Sequence, residues 1–592
     1  MIHYFDIEAD GLLNVVSKVH SLVISNGETT YSCADQVGYT PIEEGLEILS
    51  KADVVCGHNI IDYDLPALQK VYPGLTFQGE ALDSLVFSRL ALPHMALVDH
   101  INIIGKKYTL PRDLRGRHTL ESWGRRLGEY KGDYNGGWAH WSEEMQHYCE
   151  QDVIVTMKLM EHLNSLNFSK ESIKLEHEFA KCIFDLQKNG IGFNVTKAEA
   201  LRKEVAQSHI DLKKKIISVV PPQYDVFIPK RDNKTKGYKK GVPFNKPRIF
   251  NPGSRKQIIE HLITKYKWNP VDFTDKGNVK LNGEVLDGLP YDEAPLFSDY
   301  LQATKLLGQL SSGEKSWLKL LRAGKIYGRI NHNGARTGRC THSNPNLAQI
   351  PRIGNFKGRE CRGLFYHTEG VLVGCDASGL ELRNLAHYLY PYDKGKYAKK
   401  ILEGDIHTSN QKDAGLETRD QAKRFIYAFN YGAGDVKLGS IVDPSTTEEE
   451  QREIGKRLRA SFTHKVDGLG NLLDQIKAVH RTRGWFKGLD GRKLHSVSAH
   501  SALNTILQGA GAIIMKKATV LAMDEIKRRE WDHHTKLLLH VHDEIQVGTE
   551  KHYAEEVGEI LADSIRLAGE HFKFRIPLEG EYKIGKNWAE TH

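Results

Sequence analysis

What this 592-residue chain lacks closes off several classes of explanation. Its seven cysteines, Cys33, Cys56, Cys149, Cys182, Cys340, Cys361 and Cys375, are scattered with no CxxC pair. An odd, dispersed set suits a reducing cytoplasm and argues against structural zinc or a disulfide framework. No apolar run approaches the roughly 20 residues a membrane helix requires, so no membrane association is expected. The acidic segment Met1 to Asp10 lacks the basic start of a secretory signal, and the chain is expected to remain where it is made. There are no internal repeats and no extended low-complexity segments. Nor is there a strong excess of one charge. Against 75 acids stand 82 Lys and Arg, a net +7 that leans mildly toward a polyanionic partner. What is left, 40% hydrophobic residues and a mean hydropathy of −0.46, describes a globular protein long enough for several domains.

The most informative segment is Val371 to Arg383, VLVGCDASGLELR. Val371, Leu372 and Val373 suit a buried strand, and Asp376 emerges where that strand meets solvent. An ionised carboxylate leaving bulk water needs a compensating cation or donor, and a divalent metal is one answer. A second acid stands in a similar setting, in Leu537 to Val547, where two β-prone runs flank His542-Asp543-Glu544. That pattern predicts a hairpin with Asp543 near its tip. Two carboxylates on separate strands can hold two hard cations about 4 Å apart, clamping the attacking and leaving oxygens of a phosphoryl transfer. A lone Asp after an apolar strand is more commonly a turn former or helix cap.

Between the two acids lies TRDQAKRFIYAFNYGAG, Thr418 to Gly434. Arg419, Lys423, Tyr427 and Tyr431 fall four apart, so a helix carries them along one slowly drifting face, with Phe425, Ile426 and Phe429 turned elsewhere. Two cations followed by two rings make a nucleotide rail: an Arg fork and a Lys point charge suit a triphosphate, and a ring packs on base or sugar. The competing reading is an ordinary amphipathic helix with a solvated basic edge. Thr418 serves as N-cap under both. At the chain start, the strand period of Ile2 to Glu8 puts Asp6 and Glu8 on one face, where two like charges call for metal. Further acids appear around Asp62 and Asp64, and in His147 to Asp152, where Tyr148 and Asp152 share a helix face.

These segments together resemble family A DNA polymerases, in particular their T7-like bacteriophage replicative branch. DASGLELR, RDQAKRFIYAFNYGAG and HVHDEIQVG are similar to that family's A, B and C motifs. GARTGRCTHSNPNLAQIP (334 to 351), GDIHT (404 to 408), KGLDGRK (487 to 493) and GKNWAETH (585 to 592) extend the likeness over nearly the whole chain. The N-terminal acids resemble the motifs of DEDDy 3′ to 5′ exonucleases. The resemblance implies a multidomain α/β and α+β protein: an RNase H-like exonuclease domain at 1–165, then a right-hand polymerase domain at 170–592. The thumb is expected at about 174–330, the palm at about 331–400 and 490–592 with an antiparallel sheet, and the fingers at about 401–489.

Carried over position by position, the resemblance makes Asp376 and Asp543 metal-binding carboxylates, with the carbonyl of Ala377 a further ligand. His407, Arg419 and Lys423 would contact the triphosphate. Glu381, held by Tyr431, would be the sugar gate against ribonucleotides. Tyr427, where relatives carry Phe or Tyr, implies acceptance of dideoxynucleotides. Arg339, Asn504, Gln508 and His542 would touch the minor groove at the primer terminus. In the first domain Asp6, Glu8, Asp64 and Asp152 would bind two metals and Tyr148 would orient the attacking water. The implied cofactor is Mg2+, two per active site, with Mn2+ able to substitute. The implied partners are primer–template DNA and dNTPs, with helicase-primase and single-stranded DNA-binding protein around a monomeric catalytic subunit.

Three further readings complete the sequence. Lys230 to Arg248 gathers eight cations against the single acid Asp232 and reads as a flexible basic loop, able to track DNA phosphates, dock a partner or simply stay solvated. In T7-like enzymes a longer insertion in that region recruits thioredoxin, and the short interval here argues against such a clamp. The first strand already bears the acids of the exonuclease motif, so no 5′ nuclease domain is expected before it. Residues Leu163 to Ser172 read as a polar linker, and Lys174 to Val219 as long helix. The expected function is template-directed DNA synthesis with proofreading in phage genome replication. A repair or gap-filling polymerase is the alternative within the class, and a nuclease or DNA-binding module without synthesis the alternative outside it.

Overall fold

A computed structural model gives the structure, and it describes all residues except 131, 222, 271, 272, 274–276 and 445, together with the side chains at 223, 247 and 284. The N-terminal domain is built on a five-stranded sheet. Strands Ile2–Ala9, Val19–Ser25 and Thr30–Cys33 pair antiparallel, while Val54–Gly57 and Glu80–Asp83 extend the other edge of Ile2–Ala9 in parallel. Alternating Phe5, Ile7 and Ala9 fill the core on one face, packed with Leu22, Ile24, Val55 and Leu68. Helix Glu143–Ser165 crosses the other face, where Cys149 and Val153 meet Val23.

The expected polar linker at 163–172 is much shorter than the composition suggests. Helix Glu143–Ser165 runs to its natural end, and Ser169 caps the next helix, Lys170–Asn189, by accepting from the Ser172 N–H. The long helix expected over 174–219 is likewise two helices, Lys170–Asn189 and Val195–Val219. Between them, Ile191–Phe193 leaves as a strand to pair with Lys325–Ile326 and Phe365–Tyr366. Asn189, Gly190 and Asn194 break the run, and Asn194 caps the second helix. The basic segment is a loop over 228–243, where six of its eight cations lie, but it is closed at its base by the antiparallel pairing of Gln223–Phe227 with Phe244–Arg248.

The second domain centres on a four-stranded antiparallel sheet ordered Thr535–Val541, Glu544–Thr549, Val371–Ala377, Gly580–Gly585. One face packs on helices Ala502–Arg528, Ala554–His571 and Lys170–Asn189 through Val373, Ile545, Val547, Ile513, Ala518, Ile565 and Phe179. Helix Ala502–Arg528 is long and apolar enough to cross a membrane by length and composition. Most of its apolar window is buried in this core, which accounts for its character without a bilayer. A separate helical core, Phe425, Ile426, Phe429, Leu458, Phe462 and Leu472 among others, forms the lobe over 396–483. Tyr431 ends its helix Arg419–Asn430 rather than lying within it. Gly432 must then turn with φ +74°, where a Cβ would sit 2.3 Å from the His500 carbonyl oxygen.

The domains are joined by buried polar contacts. The Asp83 N–H donates to His177 Nε2 at 2.8 Å, and Asn333 Nδ2 donates to the Arg89 carbonyl at 3.0 Å. Beside this seam, Glu176 accepts from Lys516 Nζ at 2.5 Å and pairs with Arg492 at 2.6 Å, while Arg492 pairs with Asp490 at 2.6 Å. All four side chains are buried. Burial works to raise the Glu176 carboxyl, but Lys516 and Arg492 outweigh it and hold the group well below its usual range. A depressed carboxyl stabilises the fold above its ordinary value of 4.5, and that contribution is lost as pH falls toward the folded-state value. Glu176→Ala leaves two cations buried against one remaining acid. It is expected to cost about 3–5 kcal/mol, read as a fall in the urea midpoint at neutral pH.

Candidate functional site

Two acidic centres emerge from this framework, one in each domain. In the second domain, Val371–Ala377 runs antiparallel to both neighbours, so Asp376 stands directly opposite Glu544 on one side and Glu581 on the other. His542 and Asp543 form the two-residue turn joining the outer hairpin, with Val541 opposite Glu544. His542 takes the left-handed backbone, φ 59°, that a tight turn demands. The Ala377 N–H donates to the Asp543 carbonyl at 3.1 Å, which fastens the turn to the strand end beside Asp376. The expected pair of acids is therefore brought together.

The structure adds members that the sequence reading missed. Glu544 is buried, accepts from the Trp588 indole N–H, and lies 3.5 Å from Arg362, whose guanidinium covers the Trp588 ring at 4.4 Å. His592 Nδ1 is 3.6 Å from Asp376 and 3.4 Å from Glu544. Thr591 Oγ1 donates to Gln546 at 2.9 Å and holds the chain end in place. Asp376 is pushed up to about 7, chiefly by burial and then by the Glu544 charge, with Asp543 adding to it and His592 and Arg362 opposing. Asp376, Glu544 and His592 offer ligand atoms within 4.8 Å of one another. A partly buried cluster of carboxylates, with Arg362 and His592 beside it, is a donor set that a hard divalent cation can take.

Facing this centre is the helix Arg419–Asn430. Thr418 closes a capping box with Gln421, and Phe425, Ile426 and Phe429 are buried as the periodicity predicts. Arg419 engages Asp405 at 2.6 Å, and Asp405 in turn caps helix Ile406–Ala414 by accepting from the His407 N–H. The His407 ring lies 6.4 Å from that of Tyr427, and its pKa is lowered by burial first and then by Arg419. Lys423 has no ion-pair partner among the described residues. Tyr431 donates to Glu381 Oε1 at 2.7 Å, and Arg339 stands 3.6 Å from the same carboxylate. Burial, with the Glu381 hydrogen bond second, pushes the Tyr431 phenol up, so it stays a donor.

Asn504 and Gln508 lie one turn apart on helix Ala502–Arg528. The Asn504 Oδ1 and Glu381 Oε2 atoms are buried without a hydrogen-bond partner among the described residues, which is how groups awaiting a polar ligand look. Burial of the ring, and then the Arg339 charge, lower the His542 pKa.

The first domain carries the other centre. Asp6 and Glu8 share a face of the first strand, Asp64 opens helix Asp64–Val71, and Tyr148 and Asp152 lie one turn apart on helix Glu143–Ser165. Asp64 is pushed up to about 7 by burial first, with Asp83 and Asp152 adding like charge. Cys149, which sequence reasoning passed over, donates to the Asp6 carbonyl at 3.3 Å and offers a ligand atom with Asp6 and Glu8. The rings of Tyr134 and Trp138 stand 5.8 and 6.5 Å from that of Tyr148. These acids also fit hard divalent cations, and the neighbouring rings offer surfaces for a base.

Comparison with known proteins covers nearly the whole chain. The sequence model of DNA polymerase family A matches residues 232–590. The chain is 34% identical to the DNA-directed DNA polymerase of Escherichia phage T7 over 714 aligned positions, covering 99% of each chain. It is equally 34% identical to that of Enterobacteria phage T3, again over 99% of each. The alignment is longer than this chain, so gaps open in it. A solved structure of the polymerase domain of Pol1 from M. smegmatis, in complex with DNA primer–template and dNTP, superposes with a TM-score of 0.73. It covers 99% of this chain and 96% of that one at 19% identity.

Proposed function

This chain belongs to DNA polymerase family A and is a DNA-directed DNA polymerase of the T7-like phage type, and from that premise we propose how its residues divide the work. The second domain extends a primer 3′ end on a DNA template with dNTPs in phage genome replication. Asp376 and Asp543, with the Ala377 carbonyl, would hold two divalent cations, Mg2+ with Mn2+ as substitute, and Glu544 stands as a third acid beside them. Bound there, the cations supply Lewis-acid activation of the 3′-hydroxyl and neutralise charge on the triphosphate. What supports this reading above all is the fastening of the Asp543 turn to the end of the Asp376 strand through Ala377.

The protein's own part is positioning. Arg419, Lys423 and His407 would present donors to the triphosphate oxygens, and Arg419 must exchange Asp405 for phosphate to do so. Tyr427 presents its phenol to the incoming sugar. Arg339, Asn504, Gln508 and His542 meet minor-groove acceptors that are alike for all pairs, so they test pair shape and leave sequence to the template. The first domain would remove mispaired 3′ ends, Asp6, Glu8, Asp64 and Asp152 holding metal and Tyr148 orienting water. The domain limits 1–165 and 170–592 follow the same division. The setting would be the cytoplasm of an infected bacterium, alongside helicase-primase and single-stranded DNA-binding protein.

Glu381 supplies the test of this reading. Its carboxylate is tied to both Tyr431 and Arg339, and in this reading it would occupy the space a 2′-hydroxyl needs. In primer extension, the wild type is expected to prefer dNTPs strongly. Glu381→Ala is expected to raise the ribonucleotide-to-deoxynucleotide ratio of kcat/KM at least tenfold, about the value of one steric or polar discrimination. An unchanged ratio would remove Glu381 from the gate, and no extension by the wild type would overturn the whole assignment.

A further inference from the structure

Of the segments that carry the family likeness, KGLDGRK at 487–493 belongs to neither acidic centre. Its turn is nevertheless built tightly around one guanidinium. The Gly491 N–H donates to the Gly488 carbonyl at 3.0 Å, and the Gly488 N–H to the Arg492 carbonyl at 2.8 Å. Ser169 Oγ donates to the Asp490 carbonyl at 2.6 Å, which seats the turn on the start of helix Lys170–Asn189. Within the turn, Asp490 accepts from Arg492 Nε at 2.9 Å and Nη2 at 2.6 Å, a forked pair that fixes the plane of the guanidinium. The remaining nitrogen, Nη1, lies 2.6 Å from Glu176 Oε1. Asp490, Arg492 and Glu176 are all buried.

The same nitrogen lies against a second turn. A Cβ on Gly338 would stand 2.9 Å from Arg492 Nη1, and Gly338 has φ +77°, so only glycine fits there without strain. Gly338 belongs to the tip of the hairpin formed by Arg329–Asn331 and Thr341–Ser343. That tip is closed by the Gly338 N–H on the Ala335 carbonyl at 2.8 Å and the Ala335 N–H on the Arg339 carbonyl at 3.1 Å. The hairpin is fastened to the same helix, Lys170–Asn189. The Ile330 N–H donates to Gln187 Oε1 at 3.0 Å, and His332 Nδ1 lies 3.1 Å from Glu176 Oε2. Arg339 follows Gly338 directly, and its side chain stands 3.6 Å from Glu381. A single step along the chain therefore separates the contact with Arg492 from the side chain that meets Glu381.

An intact buried ion network does little for net stability, because desolvation offsets much of the attraction and apolar side chains of like volume often serve as well. What it supplies here is fixed position. A planar fork locked at one edge by Asp490 offers its free corner as a stop for the Gly338 turn. We propose that Arg492 is a positioning residue for synthesis, holding the Gly338 turn so that Arg339 reaches the minor groove at the primer terminus; this rests on the reading that places Arg339 there. Arg492 itself touches no substrate. A matched primer end, whose minor-groove acceptors stand in the same places for all pairs, gains from a fixed Arg339, and a mispaired end does not. Discrimination between the two ends is therefore what Arg492 protects.

The test compares Arg339→Ala, Arg492→Lys, the two combined, and Gly338→Ala in the full chain. Each variant adds one nucleotide to a matched and to a mispaired primer end, both carrying a terminal phosphorothioate linkage that resists excision. Lys keeps the positive charge that Asp490 and Glu176 require but lacks the fork, so Arg492→Lys is expected to melt close to wild type. Its kcat on the matched end is expected to fall about tenfold with KM for the dNTP little changed, as a small misplacement remote from the chemistry does. The mispaired end should be extended nearly as before, so the matched-to-mispaired ratio of kcat/KM also falls about tenfold. The combined variant is expected to be no worse than Arg339→Ala alone, the mark of one residue acting through the other. A Cβ at Gly338 pushes the turn off the guanidinium with every charge in place. Gly338→Ala should therefore lower the same ratio, and it decides the matter where Arg492→Lys does not fold. A wild-type ratio in Arg492→Lys overturns the proposal and reduces the residue to charge compensation, and losses that multiply in the combined variant overturn it too. An equal fall on both ends overturns it as well, because loss of folded enzyme scales both alike. If Arg339→Ala itself keeps the wild-type ratio, the placement of Arg339 at the primer terminus is refuted, whatever the Arg492 variant does.

Discussion

Asp376→Asn is expected to reduce nucleotide addition on the order of 10³-fold or more while leaving excision of single-stranded 3′ ends intact. The substitution keeps the volume and removes the charge, so the strand pairing with Glu544–Thr549 and Gly580–Gly585 should survive. What goes is the carboxylate around which the cation site is built, and with it stabilisation of charge that develops only in the transition state. The titration of Asp376 gives the prediction a second readout. Its folded value, about 7, lies above the ordinary 3.8, so the native protein holds this proton more tightly than the unfolded chain. Without a divalent cation, stability should therefore decline as pH rises from about 4 to about 7, and this contribution should be constant above that. A cation displaces the proton, so apparent affinity should weaken by roughly tenfold per unit as pH falls below 7. Calorimetric Mg2+ titrations at several pH values should give that slope in the wild type and a binding event missing from Asp376→Asn. Primer extension by the variant at the wild-type rate would sink the metal assignment.

How much of this was legible in the sequence depended on distance along the chain. The strand ending at Asp376, the hairpin tip at Asp543, the capped helix after Thr418 and the Asp6–Glu8 pair are all local patterns, and each appears where its period put it. Glu544 was visible next to Asp543, but the sequence does not say that it stands opposite Asp376. That register is set by strands far apart in the chain. His592 and Arg362 reach the centre only through the folded tail and the Trp588 contact. The Glu176 network joins residues 340 positions apart, and no periodicity marks a buried Lys516 in advance. The strand pairing at the base of the basic loop was missed for a different reason. Its Lys, Gly and Pro content speaks for solvated loop, while the β-prone Tyr224, Val226, Phe227 and Phe244 that pair it are few and exposed.

Asp6→Ala combined with Glu8→Ala is expected to produce the converse of the Asp376 variant: excision falls on the order of 10³-fold or more while extension of a matched primer keeps its rate. The two carboxylates stand on one face of a strand whose other face, Phe5, Ile7 and Ala9, supplies the core, so shortening them leaves the sheet intact. Asp6 is approached by the Cys149 thiol from helix Glu143–Ser165, and Asp152 on that helix adds like charge to Asp64. Removing two acids from so crowded a set relieves repulsion, so this domain should become more stable. A rise in its melting midpoint without divalent cation, coupled to lost excision, separates removal of a metal site from damage to the fold. A mispaired primer end extends the test. With excision gone, the variant should stall at the mismatch or extend it uncorrected, whereas the wild type trims it and continues. Trimming at the wild-type rate by the double variant would place the nuclease elsewhere, and a lowered midpoint would turn the effect into one of folding.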